Sequence, residues 1–576
     1  MSDNSGAHIY LERRRRDFFQ RRFQPIKQGS PKGVDMAYFK DLREFLTALE
    51  GIGKLRRITR EINKDTELHP VVRWNFRGLP ESERFGFMFE NLTGIHGERY
   101  RGAVASAVIA PCMESYALAL GCEPNRKAII DRWAQAYKQP IPTRKVSTGP
   151  VKEEIHKGDG LLEHGGLHEF PIPMTTNGWE SLPRLTGVCW MSRDPDTGSV
   201  NVGTYNGVVM GPGQSSARVS PRADLRVHWQ KYKAKGLPLP VAAVIGAVPV
   251  VAATSITEMP YGVSELEVAG GLAGEALDVV RCETMDIEVP ATAEIVLEGE
   301  IPTDFLIPDP PSGEHTGYTF IDRMVFGFNV RCITHRKNPI WHDLVDQFPP
   351  SESSVMGNLT REALMTSFLR TSCGIPQVKD VAFHHCGGSR RLCVIRLQDI
   401  GTTRTSPRTV WRALHASIAV SSEWPKIVIA VDSDIDPWDL ESVFWGVSFR
   451  YQPHRDTQII QGRGATADQS GGPRNLSLEE QEYPSTRTGL SGNSSILIDA
   501  TRKWPYTPTS LPTKPYMDRG RELWEEIGLP PLKPMEPWYG VSWGEWPDKY
   551  QRHAEMAGRG EYDKIAEELM REKKEI

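Results

Sequence analysis

The sequence predicts a multidomain α/β (α+β) fold, and three observations support this prediction. The chain has 576 residues, enough for two to four domains of ordinary size. Helical and strand-like segments alternate near both ends, whereas strand-like segments dominate from about residue 185 to residue 345. Hydrophobic residues make up 39% of the chain and charged residues 25%, so a packed core is expected.

Overall charge and hydropathy argue against a nucleic-acid-binding or membrane-spanning protein. The formal net charge is −4, and no run of about 18 consecutive apolar residues is present. The N-terminal segment lacks the apolar stretch of a secretory signal. The eight cysteines are scattered, with no C-x-x-C pair. We therefore expect a cytoplasmic protein with reduced thiols.

A basic arm, residues 1–36, precedes the first predicted domain. It carries Arg13–Arg16 and Arg21–Arg22, with phenylalanines interleaved. Such an arm could bind a membrane surface or RNA. Packing on a partner subunit, or a mobile arm, is the simpler interpretation, because no nucleic-acid motif follows.

Residues 37–145 are predicted to form an N-terminal α/β domain. The segment 37–58 has a stripe of apolar residues at helical spacing, which ends at Gly51 or Gly53 and leads into a strand. The polar, turn-rich segment 142–160 is a plausible boundary.

Residues 146–345 are predicted to form a β-rich domain with one helix at 222–236. Its strand-like runs have the spacing of a β-barrel or sandwich. After the turn "DPDTG", one predicted strand places its alternate residues on a single face. These are Val200, Val202, Thr204, Asn206 and Val208, and Asn206 is the polar exception.

Residues 346–510 again alternate between helix and strand, and 511–576 form an extension that ends in a charged helix. The strand end "VDSDID" admits two interpretations. Asp432, Asp434 and Asp436 could hold a metal, or could cap a helix that begins near Pro437. We favour the cap, because no His or Cys lies nearby.

Two acidic stretches are the candidates for chemistry. "ITEMPYGVSELEVAGGLAG" contains Glu258 and Glu265, and "IPDPPSGEHTGYTF" contains Asp309 and Glu314. A carboxyl group in such a Pro/Gly-rich loop can serve as a general acid or base once it is buried. Solvated turn residues are the ordinary alternative.

Taken together, the motifs resemble the UbiD family of reversible decarboxylases. "NVGTYN", "VSELEVAGGLAGEALDVVRCETMDIEVPATAEIVLEGEI" and "PDPPSGEHTGY" carry the resemblance, followed by "KIVIAVDSDID" and "SSILIDATRKW". It covers roughly residues 37–505. It implies an N-terminal α/β domain, a central split β-barrel resembling flavin reductases, and a C-terminal α/β domain that mediates oligomerisation.

The resemblance also implies prenylated FMN, a divalent metal (usually manganese) and potassium as cofactors. By position, the metal ligands are Asn201, Glu265 and Asp224, where Asp224 replaces the family's His. The cofactor-binding set is Asn201, Val202, Gly203, Thr204, Tyr205, Asn206, Ala223, Asp224, Glu258, Glu265 and Ser495. Ser495 stands where relatives commonly place a Lys.

The catalytic Glu-Arg-Glu network of the family carries over with changes. Glu314 is the proton donor, Asp309 takes the place of the second Glu, and Asn206 takes the place of the Arg. We expect burial to raise the pKa of Glu314. Because the Arg and the Lys of the family are replaced, two carboxylates would lie beside a flavin phosphate without these cations to offset the negative charge. Arg218, Arg222 or a second metal are the candidates to compensate.

The expected activity is reversible decarboxylation of an aromatic or α,β-unsaturated acid, including a bulky aromatic acid or an aromatic acyl-CoA. Prenylated FMN would be the electron sink. One alternative is a metal-dependent, flavin-independent subunit that resembles phenylphosphate carboxylase. Another is a non-catalytic subunit beside an active paralogue. We expect CO2 and the acid as ligands, assembly into a homo-oligomer or with a paralogue, and neither nucleic acid nor membrane as partner.

Overall fold

The computed structural model describes residues 38–220, 223–321, 323–400, 405–421, 423–463, 468–471, 493–532 and 547–572. The basic arm and Arg222 lie outside these residues. Within them the chain divides into two compact units. The first takes the chain up to Phe368, together with Phe383–Leu392 and Gly462–Asn493; the second takes Leu369–Ala382, Cys393–Gln461 and Ser494–Ile576.

Helices and strands are mixed throughout, which confirms the predicted α/β class. The α-helices of the first unit are Leu42–Gly51, Leu68–Gly78, Met113–Leu120, Arg126–Lys138, Asp224–Ala234, Pro249–Ser255, Glu265–Ala273 and Glu352–Ser367. Those described in the second unit are Pro407–Ala419, Leu440–Arg450, Lys514–Glu526, Asp548–Gly558 and Tyr562–Arg571. None of the described helices has the length and apolar composition needed to cross a membrane.

The strands are numbered in chain order. They are β1 (Leu55–Ile58), β2 (Ile62–Asn63), β3 (Gly86–Phe89), β4 (Leu92–Thr93), β5 (Ala103–Ser106), β6 (Arg144–Lys145), β7 (Glu154–Lys157), β8 (Arg184–Leu185), β9 (Cys189–Arg193), β10 (Val200–Thr204), β11 (Gly207–Gly211), β12 (Gln214–Ala217) and β13 (Leu239–Ile245). They continue with β14 (Asp278–Arg281), β15 (Glu288–Pro290), β16 (Ile295–Ile301), β17 (Ile307–Asp309), β18 (Ser312–Gly313), β19 (Thr319–Phe320), β20 (Arg323–His335), β21 (Ile340–Asp343), β22 (Val378–Phe383), β23 (Leu392–Leu397), β24 (Ile427–Val431), β25 (Thr457–Arg463) and β26 (Asn493–Asp499).

A ten-stranded sheet forms the centre of the first unit. Its strand order is β10-β9-β13-β16-β20-β12-β11-β8, and β17 and β7 also pair with β20. Strands β9, β13 and β16 were predicted from buried apolar runs, and antiparallel pairing joins them. Aromatic side chains fill the core against this sheet, with Trp190 edge-on to Phe328.

A smaller sheet supports the first unit on the N-terminal side. The predicted helix is confirmed as Leu42–Gly51, and Asp41 caps it by accepting a hydrogen bond from the amide of Glu44. The strand that follows, β1, begins the four-stranded sheet β1-β3-β5-β21. Strand β21 pairs in parallel with β5, so a strand from residues 340–343 completes the sheet of the N-terminal segment.

The prediction of one continuous strand through Asn206 is wrong. Strand β10 ends at Thr204 and β11 begins at Gly207, and the two lie at positions one and seven of the sheet. Side-chain alternation cannot reveal where the backbone leaves one part of a sheet for another. Gly207 is needed where the chain re-enters, because a Cβ there would lie 2.0 Å from the carbonyl oxygen of Ser216.

The second unit contains a five-stranded sheet of order β22-β23-β24-β26-β25. The preferred helix cap at its acidic strand end is wrong. Helix Leu440–Arg450 begins later than predicted and is capped by Asp439. Asp432 and Asp434 instead pair with Arg450, each at 2.8 Å or less, because this buried guanidinium needs carboxylate partners.

All eight cysteines are free thiols, six of them buried. Burial raises the pKa of Cys189 to about 11, which keeps this thiol protonated near neutral pH. The burial of six cysteines agrees with core positions, and the reduced state of the thiols stays a prediction.

Candidate active site

Arg218 joins the two carboxylates that the sequence singles out in the Pro/Gly-rich loop. Its Nε donates to Oδ2 of Asp309 at 2.6 Å, and its Nη1 donates to Oε1 of Glu314 at 2.8 Å. All three side chains are largely buried, with at most 11% exposed. Asp309, Arg218 and Glu314 therefore form one connected acid–base group, which we call the relay.

The relay corrects the assignment of Asn206 to the position between the two carboxylates. Asn206 donates its amide to Asp346 instead. Residues 206 and 218 face each other across the β11–β12 hairpin, and the amide of Arg218 donates to the carbonyl of Asn206 at 2.7 Å. A guanidinium on the facing strand can reach the same space, because directly opposed residues on one face are close neighbours.

Two further cationic or polar groups surround Glu314. Nη2 of Arg184 lies 4.0 Å from its carboxylate, and Nδ1 of His315 lies 3.7 Å away. Arg184 has no exposed side-chain surface. It donates to Glu180 at 3.1 Å and to the carbonyl of Gly313. Strand β18, where Gly313 lies, leads directly into Glu314.

These neighbours reverse the expected change in acidity of Glu314. Burial raises its pKa, but the hydrogen bond with His315 and the charges of Arg218 and Arg184 lower it by more. The pKa of Glu314 is therefore well below its usual value, contrary to the sequence-based expectation. The side chain stands in the site as a carboxylate.

Asp346 shares Arg184 with Glu314 but behaves oppositely. Its Oδ2 lies 3.5 Å from Nη2 of Arg184. Burial raises the pKa of Asp346, and the charge of Glu314 raises it further, so these effects exceed that of Arg184. Of the two carboxyl groups, Asp346 holds a proton more readily.

A second acidic cluster contains the predicted metal ligands Asn201, Asp224 and Glu265. Asn201 lies on β10, whereas Asp224 and Glu265 are the first residues of their helices. Oε2 of Glu265 accepts a hydrogen bond from the amide of Val202 at 3.0 Å. Burial raises the pKa of Glu265 to about 7, and the charge of Asp224 adds to that rise. The structure thus brings these three residues together.

Tyr205 completes this cluster. Burial raises its pKa, a hydrogen bond with Asn201 lowers it, and the charges of Asp224 and Glu265 raise it again. A Cβ on Gly203 would lie 2.4 Å from the Tyr205 hydroxyl, so only glycine leaves room for this ring.

The other predicted cofactor-binding positions lie around the cluster or in a different part of the chain. The hydroxyl of Thr204 is 2.7 Å from that of Ser255, and Ala223 precedes helix Asp224–Ala234 as its N-cap. Glu258 is exposed in the segment before helix Glu265–Ala273. Ser495 belongs to the second unit, where its hydroxyl donates to the carbonyl of Pro425 at 2.8 Å, and its role towards a cofactor stays a prediction.

Sequence reasoning missed Arg184, Asp346 and His315 as parts of the site. Arg184 carries no signal of its own, because burial of a charge becomes visible only with its partners. His315 is part of the motif "GEHTGY" but was not given a role, and Asp346 lies outside the motifs that carry the resemblance. Arg218 was named only as a possible compensating cation, since its cross-strand pairing with Asn206 is a tertiary fact.

Family models match two consecutive parts of the chain. A family model described as the Rift-related domain of 3-octaprenyl-4-hydroxybenzoate carboxy-lyase matches residues 144–348. A model described as the C-terminal domain of the same enzyme matches residues 354–500. The two matches cover the sheet that carries the relay and most of the second unit.

Solved structures show the same similarity over most of the chain. The UbiD-class enzyme HmfF from Pelotomaculum thermopropionicum in complex with FMN is 31% identical, with a TM-score of 0.67 over 80% of this chain and 94% of its own. An evolved dimeric form of that enzyme in complex with prFMN is 29% identical, with a TM-score of 0.67 over 82% and 97%. The closed form of vanillic acid decarboxylase from Sedimentibacter hydroxybenzoicus is 26% identical, with a TM-score of 0.69 over 85% and 99%.

Proposed function

Because the chain belongs to the UbiD family of carboxy-lyases, we propose that it is a reversible decarboxylase of an aromatic or α,β-unsaturated acid. The relay is the observation that carries the proposal. Arg218 binds Asp309 and Glu314 at once, which fixes a buried carboxylate beside a permanent positive charge. Such a group can bind an anionic acid and move a proton at one place.

Two buried guanidiniums suit a substrate that carries a carboxylate. Arg218 and Arg184 both lie within 4.0 Å of Glu314. A bound carboxylate would share their charge, which weakens their hold on Glu314 and raises its pKa towards that of a proton donor. Bidentate pairing of arginine with a carboxylate would also orient the acid.

The proton has a local source in Asp346. The pKa of Asp346 is raised and that of Glu314 is lowered, so a proton held by the two carboxyl groups resides more on Asp346 before substrate binds. Arg184 contacts both groups, at 3.5 Å and 4.0 Å. We infer that this pair shares a proton, that Glu314 delivers it to the carbon that has lost CO2, and that the reverse transfer accompanies carboxylation.

The second acidic cluster fits a divalent metal. Asp224 and Glu265 are near enough to raise each other's energy when ionised, and the side-chain amide of Asn201 lies with them around Tyr205. Amide and carboxylate oxygens are suitable donors for hard divalent ions such as Mg²⁺ or Mn²⁺. Asn201, Asp224 and Glu265 would hold the ion, and no residue is assigned to potassium.

Prenylated FMN is the cofactor we propose, since two similar structures hold prFMN or FMN. When bound, it supplies an electron sink for the electron pair left as CO2 departs. Residues Val202–Asn206, Ala223 and Glu258 would line its site, and the metal would neutralise its phosphate. Assembly into a homo-oligomer, or with a paralogous subunit, is part of the proposal.

Co-expression with a flavin prenyltransferase tests the proposal. The purified protein is examined by absorbance spectroscopy and metal analysis, and assayed for ¹³C-bicarbonate exchange into aromatic and α,β-unsaturated acids, beginning with vanillic acid. Bound flavin, a metal that Glu265→Gln releases, and isotope exchange are expected. A metal without flavin after reconstitution would favour the phenylphosphate-carboxylase-like alternative. Activity only beside a paralogue would favour the non-catalytic subunit.

A further inference from the structure

Three potential metal ligands meet on the surface of the ten-stranded sheet, among residues that have no part in the relay or the acidic cluster. They are His156 on β7, His335 at the end of β20, and Glu169 in the short 3₁₀ turn Gly166–Glu169. One ligand atom from each lies within 4.8 Å of the others. We refer to them as the His–His–Glu cluster.

We propose that the His–His–Glu cluster is a second metal site, which binds a divalent transition ion of the Zn²⁺ class and has a structural role. The strands place the two rings on one face, because His156 pairs with Ile333 and His335 lies two residues further along β20. Their Nε2 atoms face each other at 2.9 Å. Two imidazole nitrogens on one tetrahedral zinc lie about 3.3 Å apart, so a small opening of the pair admits the ion.

The environment orients His335 as metal-binding histidines are oriented. Its Nδ1 is 2.8 Å from the carbonyl of Arg336, so Nδ1 carries the proton and Nε2 keeps its lone pair. Phe170 packs edge-on to the same ring and fixes its plane. A carbonyl that accepts a hydrogen bond from the other ring nitrogen, together with a rigid apolar neighbour, holds a metal-binding ring in place.

The other members of the cluster supply charge and access. The Glu169 carboxylate is half-buried beside both rings and would offset part of the charge of the ion. His156 is also half-buried, so solvent reaches the cluster. The exposed ring of His164 lies next to the cluster, with its centroid 5.0 Å from that of His156. Two imidazoles and a carboxylate form a donor set that binds zinc in preference to magnesium or calcium.

An ion at this position would connect three separate pieces of chain. Pairing of β7 with β20 already joins two of them, and the amide of Leu167 donates to the carbonyl of Pro212 at 2.8 Å in the third. A metal that binds the folded state alone stabilises it by mass action. A hydrogen bond between the two imidazoles is the competing explanation for their approach.

Imidazole ligation distinguishes this site from the proposed active-site metal. Asn201, Asp224 and Glu265 include no histidine, so nitrogen hyperfine coupling to Cu²⁺ that is lost with His156 reports the His–His–Glu cluster and not the proposed active-site metal. Untagged full-length protein is stripped of metal and loaded with Cu²⁺ for electron paramagnetic resonance. Parallel samples are loaded with Zn²⁺ by equilibrium dialysis. The variants are His156→Gln, His335→Gln and Glu265→Gln, with His168→Gln, an exposed neighbour, as the matched control.

We expect nitrogen coupling in the wild type, in Glu265→Gln and in His168→Gln, and its loss in His156→Gln. The His156→Gln variant should also bind one equivalent of Zn²⁺ less than the wild type. Adding Zn²⁺ should no longer raise its thermal midpoint of unfolding. If His335→Gln does not fold, the half-exposed His156 still decides the outcome. No nitrogen coupling in the wild type, or equal loss in His168→Gln, would overturn the proposal. These readouts do not depend on decarboxylase activity.

Discussion

The buried glutamates of the relay and of the acidic cluster have pKa values that are shifted in opposite directions. Glu314 is 8% exposed and Glu265 is 5% exposed, so burial alone would raise the pKa of both carboxyl groups. The pKa of Glu314 is instead far below its usual value, because Arg218, Arg184 and His315 surround it. Burial raises the pKa of Glu265 to about 7, Asp224 adds to that rise, and no described cation pairs with Glu265 to oppose it. At similar burial, the presence or absence of neighbouring cations decides whether the pKa of each carboxyl group falls or rises.

The difference suggests complementary tasks for the two regions. The relay already contains its cations, so it suits an anionic substrate and proton transfer. The acidic cluster lacks a cation among the described residues, so it suits a metal. The following variants test that contrast, from the largest expected effect to the smallest.

Glu314→Gln should have the largest effect, on turnover. Gln keeps the shape and can accept from Arg218, but it cannot carry a proton. We expect kcat to fall by roughly 10²–10⁴-fold, the usual range for a lost general acid. Circular dichroism and flavin content should remain those of the wild type. Wild-type activity in this variant would remove Glu314 from the mechanism.

Arg218→Met should reduce both activity and stability. It leaves Asp309 and Glu314 buried without their shared cation, and breaking a buried ion pair in this way costs about 3–5 kcal/mol. Denaturant unfolding measures the loss, and activity assays should show a fall of about 10²-fold or more. Asn206→Ala is the control, with a clearly smaller effect on each. Equal effects would restore Asn206 to the central position.

Glu265→Gln should change stability in the opposite direction. Removing a buried charge that faces Asp224 should stabilise the metal-free protein by about 1–2 kcal/mol at pH 8. Gln can still accept the hydrogen bond from Val202. The divalent metal should bind about 10–100-fold more weakly. If the metal-free variant were less stable than the wild type, a positive charge would have to compensate Glu265, contrary to this interpretation.

His342→Gln should have the smallest effect near neutral pH, because it acts on the pH dependence of unfolding in the acidic range. Burial lowers the pKa of His342 to about 4, below the value of about 6.5 expected in the unfolded chain. The unfolded state therefore binds one more proton between those values, and stability falls as pH drops from about 6.5 to 4. The variant should lose up to about 1.4 kcal/mol per pH unit of that slope. The exposed His96, replaced by Gln, should leave the slope unchanged.

Local patterns predicted the elements that depend on nearby residues. The apolar stripe and Asp41 determine helix Leu42–Gly51, and buried β-branched runs determine β13 and β16. The series of motifs from "NVGTYN" to "SSILIDATRKW", taken together, identified the family. Glu265 lies in the acidic cluster and Glu314 in the relay, and their roles stay predictions. The boundaries of the predicted domains stay predictions.

The sequence by itself determined the fold class and the family, and it pointed to the carboxylates Glu265, Asp309 and Glu314, because these follow from side-chain periodicity and short motifs. Only the tertiary structure decided which cation pairs with the carboxylates of the relay. Arg218 is twelve residues from Asn206 along the chain, yet the hairpin places the two opposite each other. It also decided the acidity of Glu314, since Coulombic energy depends on distances in space, which a linear pattern does not record.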